Sequence, residues 1–356
     1  MTATVVNPSR TAFHPLTVAA VDRLTDDSAA ITFEVPPDLA EQFVFAPGQS
    51  LTVKVGEERR SYSICARTGR PPRIGVREVA GGAVSGVLVR QIKAGDVLEV
   101  QVPSGNFSPD LAAPGRHVLI AAGSGITPMM SIASSVLAAH PDSTVTLIYG
   151  NRRTDSVMFA DEISDLKDEF TSRMMLVHVL SREPQEVELF SGRLDADKLG
   201  RLLPMVTDVG ASDHFWLCGP FGMVEDAIAV LTGLGVDRAR IHRELFYVGD
   251  EPPVEVHHED APAGPGSEVT AILDGRATTT TVAPDEAILD GVQRIRPDLP
   301  FSCKGGVCGT CRAKVTDGEV RMRRNYALEE YEVAVGYVLT CQAVPLSDRV
   351  TVDFDS

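Results

Sequence analysis

The sequence predicts a multidomain protein of mixed α+β and α/β class, with an antiparallel β-barrel, an α/β domain and a small C-terminal sheet domain. Short alternating strands fill residues 1–111, and continuous apolar runs alternate with helical stretches over 112–249. A hairpin pattern and clustered cysteines follow in 268–356. A chain of 356 residues is long enough for two or three such domains.

The first predicted domain, residues 1–111, has the pattern of a small antiparallel barrel. Residues 51–55 (LTVKV) and 97–102 (VLEVQV) alternate apolar and polar positions, and 60–65 (RSYSIC) lies between them. Short strands at regular spacing are typical of a closed sheet.

The second predicted domain, residues 112–249, is a Rossmann-like α/β domain. Its apolar runs, with helical stretches between them, indicate a parallel sheet covered on both faces. The runs are 117–122, 144–150, 174–180 and 214–220. The sequence GSGITP (123–128) ends the first run, where its glycines would let the backbone approach a phosphate at a helix N-terminus. We expect Thr127 to cap that helix.

Residues 250–267 are predicted to be a linker, because they contain five acidic residues, four prolines and neither Lys nor Arg. In 268–356, two strand-like segments flank Asp274-Gly275, a strong hairpin signal. One amphipathic helix at 285–295 and about four strands predict a β-grasp domain.

Four cysteines in the last domain have the spacing C-x4-C-x2-C followed by a distant fourth, which is the plant-type 2Fe–2S pattern. They are Cys303, Cys308, Cys311 and Cys341. A 2Fe–2S cluster takes two thiolates on each iron, so three ligands from one loop require a backbone that wraps closely. Gly305, Gly306 and Gly309 permit that approach and leave backbone N–H groups free for the sulfurs.

A zinc site, a disulfide scaffold or a redox-active thiol pair fits these cysteines less well. Structural zinc usually needs two separated C-x2–4-C pairs, and one half here would supply a single cysteine. Six cysteines in so long a chain are too few for a disulfide scaffold, and indicate a reducing, cytoplasmic setting. A redox-active C-x-x-C belongs in a βαβ setting, which this domain lacks.

The segment LPFSCKGGVCGTCRAKV with GYVLTCQAVP resembles a plant-type ferredoxin domain over its whole length. In the barrel, Arg60-Ser61-Tyr62-Ser63 resembles the R-x-Y-S flavin motif of the ferredoxin–NADP reductase superfamily. The resemblance implies that Arg60 pairs with the FAD pyrophosphate, Tyr62 stacks on the isoalloxazine and Ser63 bonds the flavin N5. Gly82 and Ser85 match the family's second phosphate motif, at a helix N-terminus.

The α/β domain carries further motifs that resemble this superfamily. GSGITP is similar to its nicotinamide-nucleotide motif, CGPFGM to its CGPxxM motif, and Glu244-Leu-Phe246 to its E-x-F, whose aromatic ring lies near the flavin. The residues concerned are Gly123, Gly125, Thr127, Cys218, Gly219, Pro220, Met223, Glu244 and Phe246. The resemblance places Cys218 near the nicotinamide ring.

The resemblance also favours NADPH over NADH. Ser181-Arg182 follows the strand at 174–180 and is similar to the 2′-phosphate pair of NADP-linked members. Arg152 and Arg153 lie at the end of the preceding strand, with no acid directly at that edge.

Over the whole chain, this order of domains resembles oxygenase reductases with a C-terminal cluster. IYGNR (148–152), NYALE (325–329) and the VDFD ending look most like the reductase subunit of phenylacetyl-CoA epoxidase. The resemblance implies hydride transfer from NADPH to FAD, with Ser63, Cys218, Glu244 and Phe246 at the reacting centre. Single electrons would then pass through the cluster to a multicomponent di-iron oxygenase.

Three alternatives remain open from the sequence. The chain could serve another aromatic-ring or steroid hydroxylase, act as a stand-alone flavin reductase or diaphorase, or be a non-enzymatic redox sensor. The net charge of −16 argues against binding nucleic acid or an anionic membrane. No apolar run is long enough to cross a bilayer and the N-terminus lacks a signal-peptide core, so we expect a cytoplasmic monomer.

Overall fold

The computed structural model describes residues 12–246, 266–328 and 330–356. Most of the predicted linker, 250–265, lies outside these ranges. The chain divides into two compact units, one spanning His14–Phe246 and the other holding the C-terminal strands and helices. Within the described ranges, no helix has both the length and the apolar character needed to cross a bilayer.

The first sheet is antiparallel and closes on itself, which confirms the predicted barrel. Its six strands lie in the order β4-β3-β6-β1-β2-β5. An isolated bridge between Ile64 and Ile74 joins the two outer strands, and the Cys65 N–H donates to the Arg73 carbonyl at 2.8 Å. The strands are β1 (Phe13–Thr25), β2 (Ser28–Glu34), β3 (Ser50–Val55), β4 (Glu58–Ser63), β5 (Arg73–Arg77) and β6 (Val97–Gln101), with helix α1 (Ser85–Arg90) between the last two.

The second sheet is parallel, in the order β11-β10-β7-β8-β9, as the continuous apolar runs predict. Its strands are β7 (Arg116–Ala122), β8 (Thr144–Asn151), β9 (Met174–Leu180), β10 (His214–Cys218) and β11 (Ile241–Glu244). The helices are α2 (Ile126–Ala139), α3 (Ala160–Glu169), α4 (Ala196–Val206) and α5 (Phe221–Gly233). The carboxyl ends of the strands carry the two glycine motifs, as is usual for open α/β sheets.

The C-terminal unit has more strands than the sequence indicated. A five-stranded sheet of order β13-β12-β18-β14-β16 is accompanied by the two-stranded pair β15-β17. The hairpin between β12 and β13 turns at Asp274 (φ 54°) and Gly275 (φ 67°), as Asp-Gly predicts. The elements are β12 (Ser267–Leu273), β13 (Arg276–Val282), α6 (Ile288–Gln293), β14 (Arg312–Asp317), β15 (Val320–Met322), α7 (Glu330–Ala334), β16 (Tyr337–Leu339), β17 (Ala343–Pro345) and β18 (Arg349–Asp353).

A cluster of rings lies near the amino ends of β7, β10 and β11. The Trp216 indole N–H donates to His117 Nδ1 at 3.2 Å, and its ring stacks on His242 at 4.1 Å between centroids. His214 stacks on His117 and lies 3.2 Å from His242, from Nδ1 to Nε2. Burial, reinforced by the neighbouring His214, lowers the pKa of both His117 and His242 to about 4; Asp213 opposes this at His117.

These lowered pKa values predict a loss of stability in mild acid. As pH falls from about 6.5 towards about 4, the unfolded chain binds protons that folded His117 and His242 do not. Each unit of pKa difference corresponds to about 1.4 kcal/mol. We therefore expect the urea midpoint, followed by emission of Trp216, the only tryptophan, to fall over this range.

The variant His117→Gln should show a shallower pH dependence, because an amide has no proton to gain there. His140→Gln, which changes a histidine outside the cluster, is the matched control and should keep the wild-type slope. Equal slopes for His117→Gln and the wild type would contradict the prediction.

Candidate active site and metal centre

Three of the predicted catalytic residues lie together where the barrel meets the parallel sheet. The Ser63 hydroxyl, at the end of β4, donates to Glu244 Oε2 at 2.9 Å. Glu244 ends β11 and pairs in register with Cys218, which ends β10. The arrangement joins residues 181 positions apart.

Burial determines the protonation states of Glu244 and Cys218. It raises the pKa of Glu244 to about 7, while the hydrogen bond from Ser63 acts in the opposite direction. Burial, with the nearby Glu244 charge, also raises the pKa of the Cys218 thiol well above its usual value. Near neutral pH, Glu244 can therefore hold or release a proton, whereas Cys218 stays a neutral thiol.

Phe246 follows this group at the end of the domain. It is 40% exposed, whereas the preceding residue, Leu245, is buried. Tyr62 belongs to β4 and packs on the barrel core, and burial raises the pKa of its phenol, which stays neutral. The two rings offer aromatic surface of the kind that a flavin ring system stacks on.

Arg60 is not part of the Ser63 hydrogen-bond group. Residues on a strand alternate in direction, so Arg60 shares a face of β4 with Tyr62, and Ser63 points to the other side. The Arg60 guanidinium is 44% exposed and pairs with Glu58 at 2.8 Å. An exposed cation on this face has the chemistry that a pyrophosphate needs.

The second predicted phosphate motif forms a tight turn at the start of α1. The Gly82 N–H donates to the Val79 carbonyl at 2.9 Å, and the Val79 N–H donates to the Ser85 hydroxyl at 3.0 Å. A Cβ on Gly82 would lie 2.8 Å from the Ser85 oxygen, so the turn requires glycine. Ser85 begins the helix, as expected.

The two glycine motifs of the parallel sheet touch each other. A Cβ on Gly125 would lie 2.0 Å from the Cys218 carbonyl oxygen, and one on Gly219 would lie 2.6 Å from Met223 Cε. Pro220 is the N-cap of α5. Gly123 has φ +56°, and its carbonyl accepts from the Tyr149 hydroxyl at 3.0 Å. Only residues without side chains allow this close approach.

One expectation about this turn is wrong. The helix-capping residue is Gly125, and no side chain caps α2. Residues 123–125 form a short 3-10 turn that continues directly into α2, so Thr127 falls inside the first helical turn. Its hydroxyl donates to the Ser124 carbonyl at 3.0 Å instead. Pro128 lies in the first turn of α2, where proline is tolerated.

The residues predicted to select the nucleotide lie side by side at the ends of β8 and β9. The Ser181 N–H donates to the Asn151 carbonyl at 2.9 Å, and the Arg182 N–H donates to the Arg152 carbonyl at 2.8 Å. The side chains of Arg152 and Arg182 are both exposed.

Glu183 is a residue of this edge that motif reasoning missed. Its carboxylate accepts from the Thr154 N–H at 2.9 Å and from the Thr154 hydroxyl at 2.7 Å, and these bonds lower its pKa. An anion is therefore fixed beside the cationic edge. The acid directly after Ser181-Arg182 was the only sequence signal for it.

In the C-terminal unit, all four predicted cysteine ligands are free thiols and approach one another in two pairs. Cys303 interacts with Cys308, and Cys311 interacts with Cys341. Within the described ranges, no group of three or more possible ligands is arranged around a single metal ion. Two sulfur pairs instead match a binuclear cluster, which takes two thiolates on each iron.

In the loop that carries these cysteines, backbone N–H groups point towards the sulfur of Cys303. The Cys308 thiol lowers the pKa of Cys303 to about 6, and the N–H groups of Val307 and Gly305 contribute. The Gly305 N–H lies 3.3 Å from the Cys303 sulfur. Backbone N–H donors of this kind stabilise an anionic iron–sulfur centre, so the residues present fit a 2Fe–2S cluster.

The loop conformation depends on positive φ angles at residues 304, 306 and 309. Gly306 (φ 80°) and Gly309 (φ 68°) adopt them without strain, and Lys304 (φ 51°) is the non-glycine exception. Lys304 pairs with Asp290 at 2.8 Å, which holds the loop against α6.

The contact between Gly125 and Cys218 makes a testable prediction. Gly125→Ala would force the two glycine motifs apart, since a Cβ would lie 2.0 Å from a carbonyl oxygen. We expect the Kd of NADP⁺, measured by titration calorimetry, to rise by at least about tenfold, because the N–H groups that we expect to bind its phosphates would move.

Gly233→Ala is the control, because a Cβ there meets no atom within 4 Å. An unchanged Kd in Gly125→Ala would show that this contact does not shape the nucleotide site.

Comparisons with known proteins find a family model for each of three parts of the chain. Three family models match the chain: an oxidoreductase FAD-binding domain over residues 15–108, an oxidoreductase NAD-binding domain over 119–228, and a 2Fe-2S iron-sulfur cluster binding domain over 271–346. The crystal structure of phthalate dioxygenase reductase shares the fold, with a TM-score of 0.60 over 96% of this chain and 98% of that one, at 22% identity.

Curated relatives match the chain over almost its full length. A subunit of 1,2-phenylacetyl-CoA epoxidase from Escherichia coli (strain K12) is 44% identical over 97% of this chain and 99% of its own. The ferredoxin reductase component of 3-ketosteroid-9-alpha-monooxygenase from Rhodococcus rhodochrous is 33% identical over 95% of this chain and 96% of its own. The chain therefore belongs to the family of oxygenase reductase components that combine FAD-binding, NAD-binding and 2Fe–2S domains in one polypeptide.

Proposed function

We propose that this reductase takes electrons from NADPH and delivers them to a di-iron oxygenase that epoxidises phenylacetyl-CoA. The observation that carries the oxygenase assignment is the 44% identity to the Escherichia coli epoxidase component, which extends over the barrel, the parallel sheet and the cysteine-bearing unit. Steroid monooxygenase reductases match over similar lengths at 33%. The proposal treats the reductase as a cytoplasmic monomer, consistent with six free cysteines.

In this proposal, Arg60 and the turn at Gly82 and Ser85 hold the FAD pyrophosphate, and Tyr62 and Phe246 contact its ring system. When bound, FAD exchanges a two-electron hydride for single electrons, which a 2Fe–2S cluster carries one at a time. The support lies in the exposed Arg60 guanidinium, the helix start at Ser85 and the accessible Phe246 ring.

Ser63, Glu244 and Cys218 have distinct roles in the proposal. Ser63 presents a hydroxyl whose direction Glu244 determines through the 2.9 Å hydrogen bond. Glu244 exchanges a proton near neutral pH, because its pKa is about 7. Cys218, a neutral buried thiol, supplies a soft apolar surface for the nicotinamide ring and excludes water.

The preference for NADPH rests on the edge formed by Arg152, Ser181 and Arg182. Two exposed guanidinium groups and a hydroxyl suit a 2′-phosphate, which Arg recognises in a planar, bidentate way. Glu183 lies close by but is already bonded to the Thr154 N–H and hydroxyl. Because the Thr154 donors engage its carboxylate, Glu183 holds the turn between β8 and α3. Arg152 and Arg182 therefore remain available to bind the 2′-phosphate.

The nucleotide preference is tested by Arg182→Gln. We expect its kcat/KM for NADPH to fall by roughly 10- to 100-fold, as loss of a charged hydrogen bond predicts, with little change for NADH. Arg201→Gln, at an exposed arginine of α4, is the control and should match the wild type. A wild-type kcat/KM for NADH equal to or above that for NADPH would overturn the proposed preference.

The path to the oxygenase is tested by Cys308→Ser. We expect it to lose the visible absorption of the cluster and all electron delivery to the purified oxygenase component of the epoxidase, while it keeps NADPH-driven ferricyanide reduction. Cys65→Ser changes a buried barrel cysteine and should keep both activities.

The same experiment separates the alternatives. Full oxygenase turnover by Cys308→Ser would point to a stand-alone flavin reductase. Turnover of the wild type with a steroid hydroxylase but not with the epoxidase would reject the proposed partner.

A further inference from the structure

The outer face of strand β5 is one of the surfaces on which the barrel contacts the nucleotide-binding domain. Its sequence, RIGVR, puts Ile74 and Val76 into the barrel core. Because side chains alternate along a strand, positions 73, 75 and 77 face outward. In a barrel, such positions normally meet solvent, but each of these three meets the α/β domain.

The middle position is a glycine with no room for a side chain. A Cβ on Gly75 would lie 2.4 Å from Thr127 Cγ2 and 2.9 Å from Phe159 Cζ. Its cross-strand partner on β2 is Ala30, which is buried in the core cluster of the α/β domain. Two of the smallest residues thus form a flat area, against which the first turn of α2 packs directly.

Arg73 fixes one end of this contact. Its guanidinium donates to both carboxylate oxygens of Glu162, on α3, at 2.8 and 3.0 Å, and to Asp22 at 2.9 Å. It also lies over the Phe159 ring, 5.6 Å from the centroid, and its side chain is only 16% exposed. A partly buried, bidentate pair of this kind restricts sliding as well as separation.

Arg77 fixes the other end. Its Nη2 donates to the Ser156 carbonyl of the α/β domain at 2.7 Å, and its Nε donates to Asp27 of the barrel at 3.2 Å. The three outward-facing positions of β5 therefore contact the α/β domain at the middle of the strand and at both of its ends. The central contact is Thr127, which lies two residues after the glycine turn at 123–125.

We propose that the outer face of β5 is a positioning device, in which Gly75 and Arg73 set the distance and angle between the flavin barrel and the glycine turn. This inference rests on the reductase function proposed above. Hydride transfer requires the two rings within a few tenths of an ångström of their reacting distance, and a misplacement of about 1 Å can cost about 100-fold in rate. Neither Gly75 nor Arg73 needs to touch a substrate to exert this effect.

The first test is Gly75→Ala, with Gly200→Ala as control, because a Cβ on Gly200 meets no atom within 4 Å. NADPH-driven ferricyanide reduction is measured together with FAD content. For Gly75→Ala we expect kcat to fall at least about tenfold with KM for NADPH little changed. An unchanged kcat, or a kcat that falls only in proportion to lost FAD, would overturn the proposal.

The second test decides the matter if Gly75→Ala does not fold. Arg73→Gln, Glu162→Gln and the double variant are compared by kcat, by KM for NADPH and by FAD content. We expect each single variant to lower kcat with little change in KM or FAD content, because loss of the ion pair lets the two domains shift. The double variant should lose no more kcat than either single variant.

Additive losses of kcat, or a wild-type kcat in both single variants, would overturn the positioning role. Failure of the proposed function is distinguishable, because it would appear as a wild-type protein without NADPH–ferricyanide activity. An active wild type whose Gly75 and Arg73 variants keep the wild-type kcat would reject only the β5 proposal.

Discussion

The hydrogen bond between Ser63 and Glu244 is the interaction on which the site depends. It is made by the last residue of a barrel strand and the last residue of a parallel strand; Ser63 is buried and Glu244 is half-buried. A half-buried carboxyl group that loses its partner costs on the order of 1 kcal/mol, so this bond helps to hold the two sheets in one relative position. The same bond keeps the Glu244 proton in equilibrium near neutrality, because it opposes the effect of burial on the pKa.

Close approach between backbone segments is the second constraint, and it is possible because the residues at these contacts are glycines, which have no side chain. Gly125 lies against the Cys218 carbonyl, Gly219 against Met223, and Gly75 against Thr127. Each contact brings two segments closer than any Cβ would allow. The polar groups of the site are few, and glycine contacts rather than side-chain networks set much of their spacing.

The sequence predicted what local chemistry determines. Asp274-Gly275 specified its hairpin, the apolar runs specified the parallel sheet, and the cysteine spacing specified four cysteines that approach one another in two pairs. Contacts between distant segments left no such signal. The anchoring of Glu183 on Thr154 depends on how the ends of two neighbouring strands lie together, and the outer face of β5 depends on how two domains meet. The cap expected at Thr127 was wrong because residues 123–125 form a 3-10 turn that continues into α2. The extra strands of the C-terminal sheet were missed because β15, β16 and β17 have only three residues each.

The two compact units also differ in how they build their sites. The cysteine cradle is assembled mostly from one loop, and Cys341 is brought in by Thr340, whose hydroxyl and N–H both reach the Cys311 carbonyl, at 2.9 and 3.1 Å. These contacts lie within one unit and require nothing from the other. The Ser63 site, in contrast, takes residues from both ends of a unit of more than two hundred residues. The cradle therefore has a local scaffold, whereas the Ser63 site depends on how the barrel and the parallel sheet are held together.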